Sequence, residues 1–261
     1  MTVAALFPNG ISELFNWKGI WFNDTIFELN KVGIMALVSS AVCLLIFVWG
    51  NRKKALVPTG LQNVSEMGYE FIEGQISVPI IGEQHDAGKK WAPFLAATFF
   101  FIFFINIWST FPGIYFPATA RIAIPLFLAL VTWVVFIGVG FKEQGPWYIF
   151  KAITPPGVPK PLYILVIPIE FVSKFLMRPF SLTVRLFANM VAGHVLLAVF
   201  AVMTAELLEA KSGAYQYLLA PLPFFMLVAM TGFEFLVALL QAYIFTTLTA
   251  VYIGEAAHPG H

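Results

Sequence analysis

Long apolar runs separated by short charged stretches dominate this chain. Val32 to Gly50 carries no charged residue, and neither do Trp91 to Phe111 or Ile122 to Phe141. Leu186 to Ala205 is a fourth run, and Tyr215 to Gly254 is a fifth, with Glu234 as its only charge. A helix needs about 20 apolar residues to cross the hydrocarbon core. Backbone groups inside lipid must bond to one another, so these runs predict helices. The pattern predicts an all-α integral membrane protein of one domain (1–261), with about five spanning helices. They lie at 32–50, 91–111, 122–141, 161–210 and 215–256, after an outer segment 1–31.

The last two segments are too long for a simple crossing. From Pro161 the apolar pattern continues past Ala205, roughly 65 Å of helix at 1.5 Å per residue. Tyr215 to Gly254 amounts to about 60 Å by the same rule, against a bilayer core of about 30 Å. Both must tilt, bend or leave the membrane, and Pro168 and Pro179 allow bending in the first. The expected result is a long, tilted antiparallel hairpin whose broad face suits a partner.

The connection 51–90 holds Val64, Met67, Phe71 and Ile72 at helical spacing among Glu66, Glu70 and Glu73. This pattern predicts an amphipathic helix lying along the cytoplasmic interface, or packed on a neighbouring subunit. Thr154 to Pro159 reads as a stiff connector.

Composition agrees with the pattern. The chain is 59% hydrophobic and 11% charged, where soluble domains run near a quarter charged. A net charge of +1 gives no pointer to nucleic acid. The single Cys43 forms no intrachain disulfide. No basic region precedes an apolar core near Met1, the first cation being Lys18, so no secretory signal is expected. Arg52, Lys53, Lys54, Lys89, Lys90, Lys142, Lys151 and Lys160 fall in connections that alternate to one side. By the positive-inside rule that side is cytoplasmic, which puts the N-terminus outside and the C-terminus inside.

Ionisable groups inside spanning segments default to functional hypotheses. Measured at 100° per residue, Lys174 and Arg178 fall within about 20° of Arg185. Ser181 and Asn189 lie one turn to either side, so one polar stripe passes through Arg185. His194, nine residues on, faces a different neighbour; Glu234 and Gln241, seven apart, share a face. Plainer roles exist for each. Lys174 and Arg178 can snorkel to the interface. Asn189 and Gln241 can be interhelical hydrogen-bond partners, His194 a packing residue, and Arg185 a structural partner of Glu234. A lone carboxylate in an apolar helix should be neutral or paired, so Glu234 is the hardest to explain by packing.

The stretch from Arg178 through Arg185, Asn189 and Gly193 to His194 closely resembles the signature of subunit a of F-type ATP synthases. Leu240 to Tyr252, with Gln241, Phe245 and Thr249, resembles that family's last helix. Asn106 resembles its Asn-containing turn near the end of the second span. The resemblance implies a stator subunit with two aqueous half-channels, set against a rotating ring of c subunits that each carry a membrane carboxylate. It implies further F0F1 partners, including b-type peripheral stalk subunits, and no catalysis or cofactor on this chain. Arg185 would stand between the half-channels; Asn189, His194, Glu234 and Gln241 would line or flank the outer one. The acid and histidine are exchanged relative to some relatives. Asp24 is a candidate for the outer path, and Ser181 and Glu170 for the cytoplasmic one, with Glu170 displaced by one residue from the family's acid. The rival reading is a proton-coupled secondary transporter, against which stands the lack of inverted repeats. A metal enzyme lacks ligand spacing among its four histidines. A membrane of the bacterial plasma type is expected.

Overall fold

The computed structural model describes residues 31–50, 52, 59–82, 86–110, 118–154, 158–209 and 219–257. Among these, every regular element is helical, and five helices are long and apolar enough to cross a membrane. Helix α1 is Lys31–Gly50. Helix α2, Leu61–Ile72, runs through a π-helical turn, Glu73–Ser77, into the one-turn α3, Val78–Ile81. Helices α4, Ala87–Ile107, and α5, Ala123–Gln144, are the next two spans. A short α6, Tyr148–Ile153, precedes α7, Tyr163–Phe171. A π turn, Val172–Met177, carries α7 into α8, Arg178–Glu209, and α9, Pro221–Ala257, is the last described helix.

Two spans extend beyond their charge-free runs. Helix α4 starts at Ala87 instead of 91 because Lys89 and Lys90 occupy its first turn with exposed side chains. Helix α5 likewise continues past Phe141 to Gln144. Charge marks where lipid ends, whereas backbone hydrogen bonding continues into the headgroup zone.

The C-terminal half of α9 is the centre of the packing, with α4, α5, α8 and α3 around it. It presents Ala238, Ala242, Ala250, Gly254 and Ala256 as buried small residues. Such residues let helices approach closely where apolar surface alone gives no drive to associate in lipid. A Cβ on Gly254 would lie 3.2 Å from the Ile80 carbonyl oxygen, so α3 rests directly on the α9 backbone. Ile72, Ile76, Ile102, Phe136 and Ile253 fill the surrounding core. A smaller cluster of Val32, Met35, Ile105, Ala118, Ala120 and Met190 closes the opposite end.

Helix α5 stops at Gly145, whose φ of 80° is open to glycine and strained for other residues. The chain then folds back so that the Tyr148 ring covers Gly140, where a Cβ would lie 2.3 Å from a ring carbon. Gly140→Ala should therefore displace α6 and destabilise the fold by about 1–3 kcal/mol through overpacking. An unchanged thermal unfolding midpoint of the variant would contradict this.

The amphipathic segment packs the opposite way from an ordinary surface helix. Leu61, Val64, Met67 and Phe71 are exposed, while Gln62, Ser65 and Ile72 are buried against α1 and α4. An outward apolar stripe is what a helix lying in the membrane interface presents.

The basic positions gather at one end. Gly50 of α1 touches Ser65, Gly88 of α4 touches Val78, and Gln144 of α5 donates to the Ala256 carbonyl at 2.9 Å. Arg52, Lys89, Lys90, Lys142, Lys151 and Arg178 therefore share the end where α9 terminates.

Candidate functional site

Helices α8 and α9 form an antiparallel pair. Arg178 contacts Glu255, and sixteen residues further along α8, His194 faces Glu234. The region from Tyr163 to Leu208 holds 46 residues and α9 holds 37, or roughly 69 and 55 Å of helix. Neither fits upright in a core of about 30 Å.

The π turn changes the polar stripe. Its wider winding breaks the 100° register between Lys174 and Arg185. Lys174 Nζ instead pairs with Glu170 at 3.1 Å and donates to the Ala152 carbonyl at 2.8 Å, tying α7 to α6. Trp133 Nε1 donates to the Phe175 carbonyl inside the π turn at 2.8 Å. Arg178 and Arg185 both lie in regular α8, two turns apart, and remain in register.

Arg185 is half-buried on α8 beside the exposed Val184, Ala188 and Asn189. It has no ion-pair or hydrogen-bond partner among the described residues. Glu234 is not its counter-ion: that carboxylate is buried and faces His194 across the hairpin, Nε2 to Oε2 at 3.8 Å. This distance is too long for a hydrogen bond. Both atoms are buried without a hydrogen-bond partner among the described residues. An unsatisfied buried polar atom costs about 1–3 kcal/mol, so such a pair is atypical of a purely structural contact.

Gly193 makes the pairing possible. A Cβ there would lie 2.7 Å from Glu234 Oε1. Gly193→Ala should push the carboxylate away from His194. In a structure of this variant the Nε2 to Oε2 distance should exceed 3.8 Å with the helices otherwise in place. An unchanged distance would show that the carboxylate does not depend on the missing side chain.

Gln241 is buried on the same face of α9 as Glu234. Asn189 is exposed beside Arg185 on α8. Ser181 is half-buried one turn from Arg185. Asp24 lies outside the described residues. Asn106 is fully buried at the end of α4, its Oδ1 accepting from Thr119 Oγ1 at 2.6 Å while Nδ2 has no hydrogen-bond partner among the described residues. Trp108 Nε1 donates to Ser39 Oγ at 3.0 Å nearby. No group of His, Cys, Asp or Glu among the described residues is arranged to hold a metal.

Residues 33–254 match the family profile described as ATP synthase A chain. The chain belongs to the ATP synthase subunit a family. It is similar to the ATP synthase subunit a of Frankia alni, 40% identical over 98% of this chain and 88% of that one. That of Hyphomonas neptunium is 39% identical over 99% and 98%. That of Rhodococcus erythropolis is 40% identical over 89% and 84%. Membership of this subunit a family makes the chain a proton-translocating, multi-pass membrane component of the F0 sector, associated with other ATP synthase subunits.

Four residues around this subunit a site carry no chemical signal in the sequence. Gly193 stood in the signature without a visible task, and only the proximity of Glu234 supplies one. Glu255, near the chain end, had no signal linking it to Arg178. Thr132 and Thr249, with hydroxyls 3.5 Å apart, join α5 to α9 through positions more than a hundred residues apart.

Proposed function

We propose that this chain is the non-catalytic stator of proton translocation, with Arg185 as the fixed charge between two aqueous half-channels that meet a rotating c-ring. The observation that carries this reading is an unpaired guanidinium on an uncovered helix face, deep in an apolar segment. Such a charge needs a counter-ion, and Glu234, the acid within the facing helix, is turned to His194. A ring of mobile carboxylates supplies one. Arginine stays protonated with a pKa above 12, so it favours the ionised form of each carboxylate that passes. The same charge repels a proton attempting to cross directly between the channels.

On the outer side, Asn189, His194, Glu234 and Gln241 form the proposed path, with Asp24 a candidate for its mouth. His194 and Glu234 suit a relay because a small side-chain movement or one bridging water joins them. Ser181 and Glu170 are the cytoplasmic candidates, Glu170 held by Lys174. The shared basic end of the helices supports a cytoplasmic C-terminus by the positive-inside rule. Bacterial relatives throughout support a bacterial plasma membrane. The exposed apolar faces of α1 and α2, with Leu44, Val48, Leu61 and Val64, are the surface we assign to lipid and the b-type stalk. Each proton crossing the potential contributes about 2.3 kcal/mol per 100 mV.

The test is disulfide cross-linking in membranes after Cys43→Ser. Ala188→Cys, on the exposed face of α8, should cross-link under mild oxidation to single cysteines placed beside the carboxylate of a small two-helix proteolipid. Leu37→Cys on α1 should not. Equal cross-linking at both positions would overturn the proposed ring-facing surface.

A further inference from the structure

Helix α8 carries two guanidinium groups in register, Arg178 and Arg185, separated by roughly 10 Å along the axis. They differ completely in their surroundings. Arg178 is mostly buried and ion-paired with Glu255 at the end of α9. Its guanidinium carbon lies 4.6 Å from the Tyr252 ring centre and 5.7 Å from that of Phe136. Tyr148 is close enough to feel both charges, but burial pushes its phenol above the ordinary range, so it stays neutral. Glu255 is therefore the sole anion on Arg178 among the described residues. Arg185 pairs with no anion among the described residues.

We propose that Glu255 is a positioning residue: by neutralising Arg178 it leaves Arg185 as the single free cation on the ring-facing side of α8. This inference rests on the assignment of Arg185 to the c-ring carboxylate. Two free guanidinium groups two turns apart would offer that carboxylate two competing stations. An arginine cannot be deprotonated to remove the competitor, so a fixed counter-charge is the available means. The two aromatic faces add attraction for the cation and hold it against α5 and α9. Tyr252 lies within electrostatic reach of both arginines, which places the clamp directly beside the working group. Glu255 itself is half exposed at the end of α9, so it holds Arg178 from the cytoplasmic side.

The proposal makes an asymmetric prediction that a simple structural latch does not. In the complete ATP synthase in inverted membrane vesicles, Glu255→Gln frees Arg178 and should cut ATP-driven proton pumping by about fivefold, because a charge left unpaired disrupts more than a pair removed. Arg178→Gln removes the competitor and should stay within about twofold of wild type by the same reasoning. The double variant R178Q/E255Q should match R178Q alone. A latch predicts instead that all three variants lose activity equally, and that result overturns the proposal, as does an E255Q enzyme that pumps normally. If E255Q does not assemble, Glu255→Asp, which draws the carboxylate back from Arg178, carries the same comparison with a smaller loss, again relieved by R178Q. Arg185→Gln run in parallel separates the two readings. Normal pumping in R185Q removes the assignment of Arg185 itself, whereas its loss alongside equal E255Q and R178Q values removes only the role of Glu255.

Discussion

Arg185→Ala is expected to abolish ATP-driven proton pumping, by about a hundredfold or more, while the complex remains assembled in the membrane. The argument begins with the surroundings of the side chain. Arg185 is half-buried and pairs with nothing in the described structure, so its removal breaks no internal bond. A small loss of stability is therefore expected, and a large loss of function. Without the guanidinium, a ring carboxylate at the interface has no reason to release its proton, because burial alone favours the protonated acid. The barrier to direct passage between the half-channels also falls. Membranes stripped of the catalytic sector should then show a raised passive proton leak. Arg185→Lys should rescue poorly, since an ammonium shifts its pKa on burial and is a compact point charge instead of a planar fork. Pumping by vesicles of the alanine variant near the wild-type rate would falsify the role assigned to Arg185.

Glu234→Gln is the second large effect. The carboxylate is buried on α9, 3.8 Å from His194, and its Oε2 has no hydrogen-bond partner among the described residues. The amide is nearly isosteric, so the close approach to Gly193 survives and α9 keeps its place. What disappears is the capacity to take up and release a proton. Positioned proton-transfer groups contribute about a hundredfold or more to a step that depends on them. The proposed path retains His194 and Gln241, so a fall of about tenfold is the expected outcome here. Unlike the arginine variant, E234Q should open no leak, because the charge barrier is intact. Measuring proton flux and leak in the same vesicles separates the two residues. Conductance unchanged across a range of pH would take Glu234 out of the path.

These two residues show how differently a site can be legible. Arg185 was conspicuous in one dimension because a charge far from either end of an apolar segment has few inexpensive explanations. Glu234 was conspicuous for the same reason, but its partner was not decided. Arg185 and His194 were both open to it from the sequence. Packing chose His194, through the antiparallel pairing of α8 and α9 and the missing side chain at Gly193. The polar stripe through Lys174 was an ideal-helix construction, and the π turn at 172–177 removed Lys174 from it. No residue in Val172–Met177 announces a π turn. Its stabilising contact, the Trp133 indole on the Phe175 carbonyl, comes from another helix. Likewise the apolar stripe of α2 was read correctly as amphipathic, yet which face packs inward depended on α1 and α4.

The sequence by itself determined the solvent, the helices and the presence of an intramembrane arginine. Each of these follows from local composition: apolar runs of spanning length, backbone that must satisfy itself in lipid, and a charge that cannot be neutralised. Only the tertiary structure decided which charges are free. Arg178 and Arg185 are the same residue type on the same face of one helix, and although their depth along the sequence differs, nothing in one dimension names a partner for either. Glu255 reaches Arg178 because α9 folds back along α8 and ends beside it, whereas no carboxylate among the described residues pairs with Arg185. Pairing is a property of distance in space, and a long hairpin sets that distance between residues that the sequence places 77 positions apart.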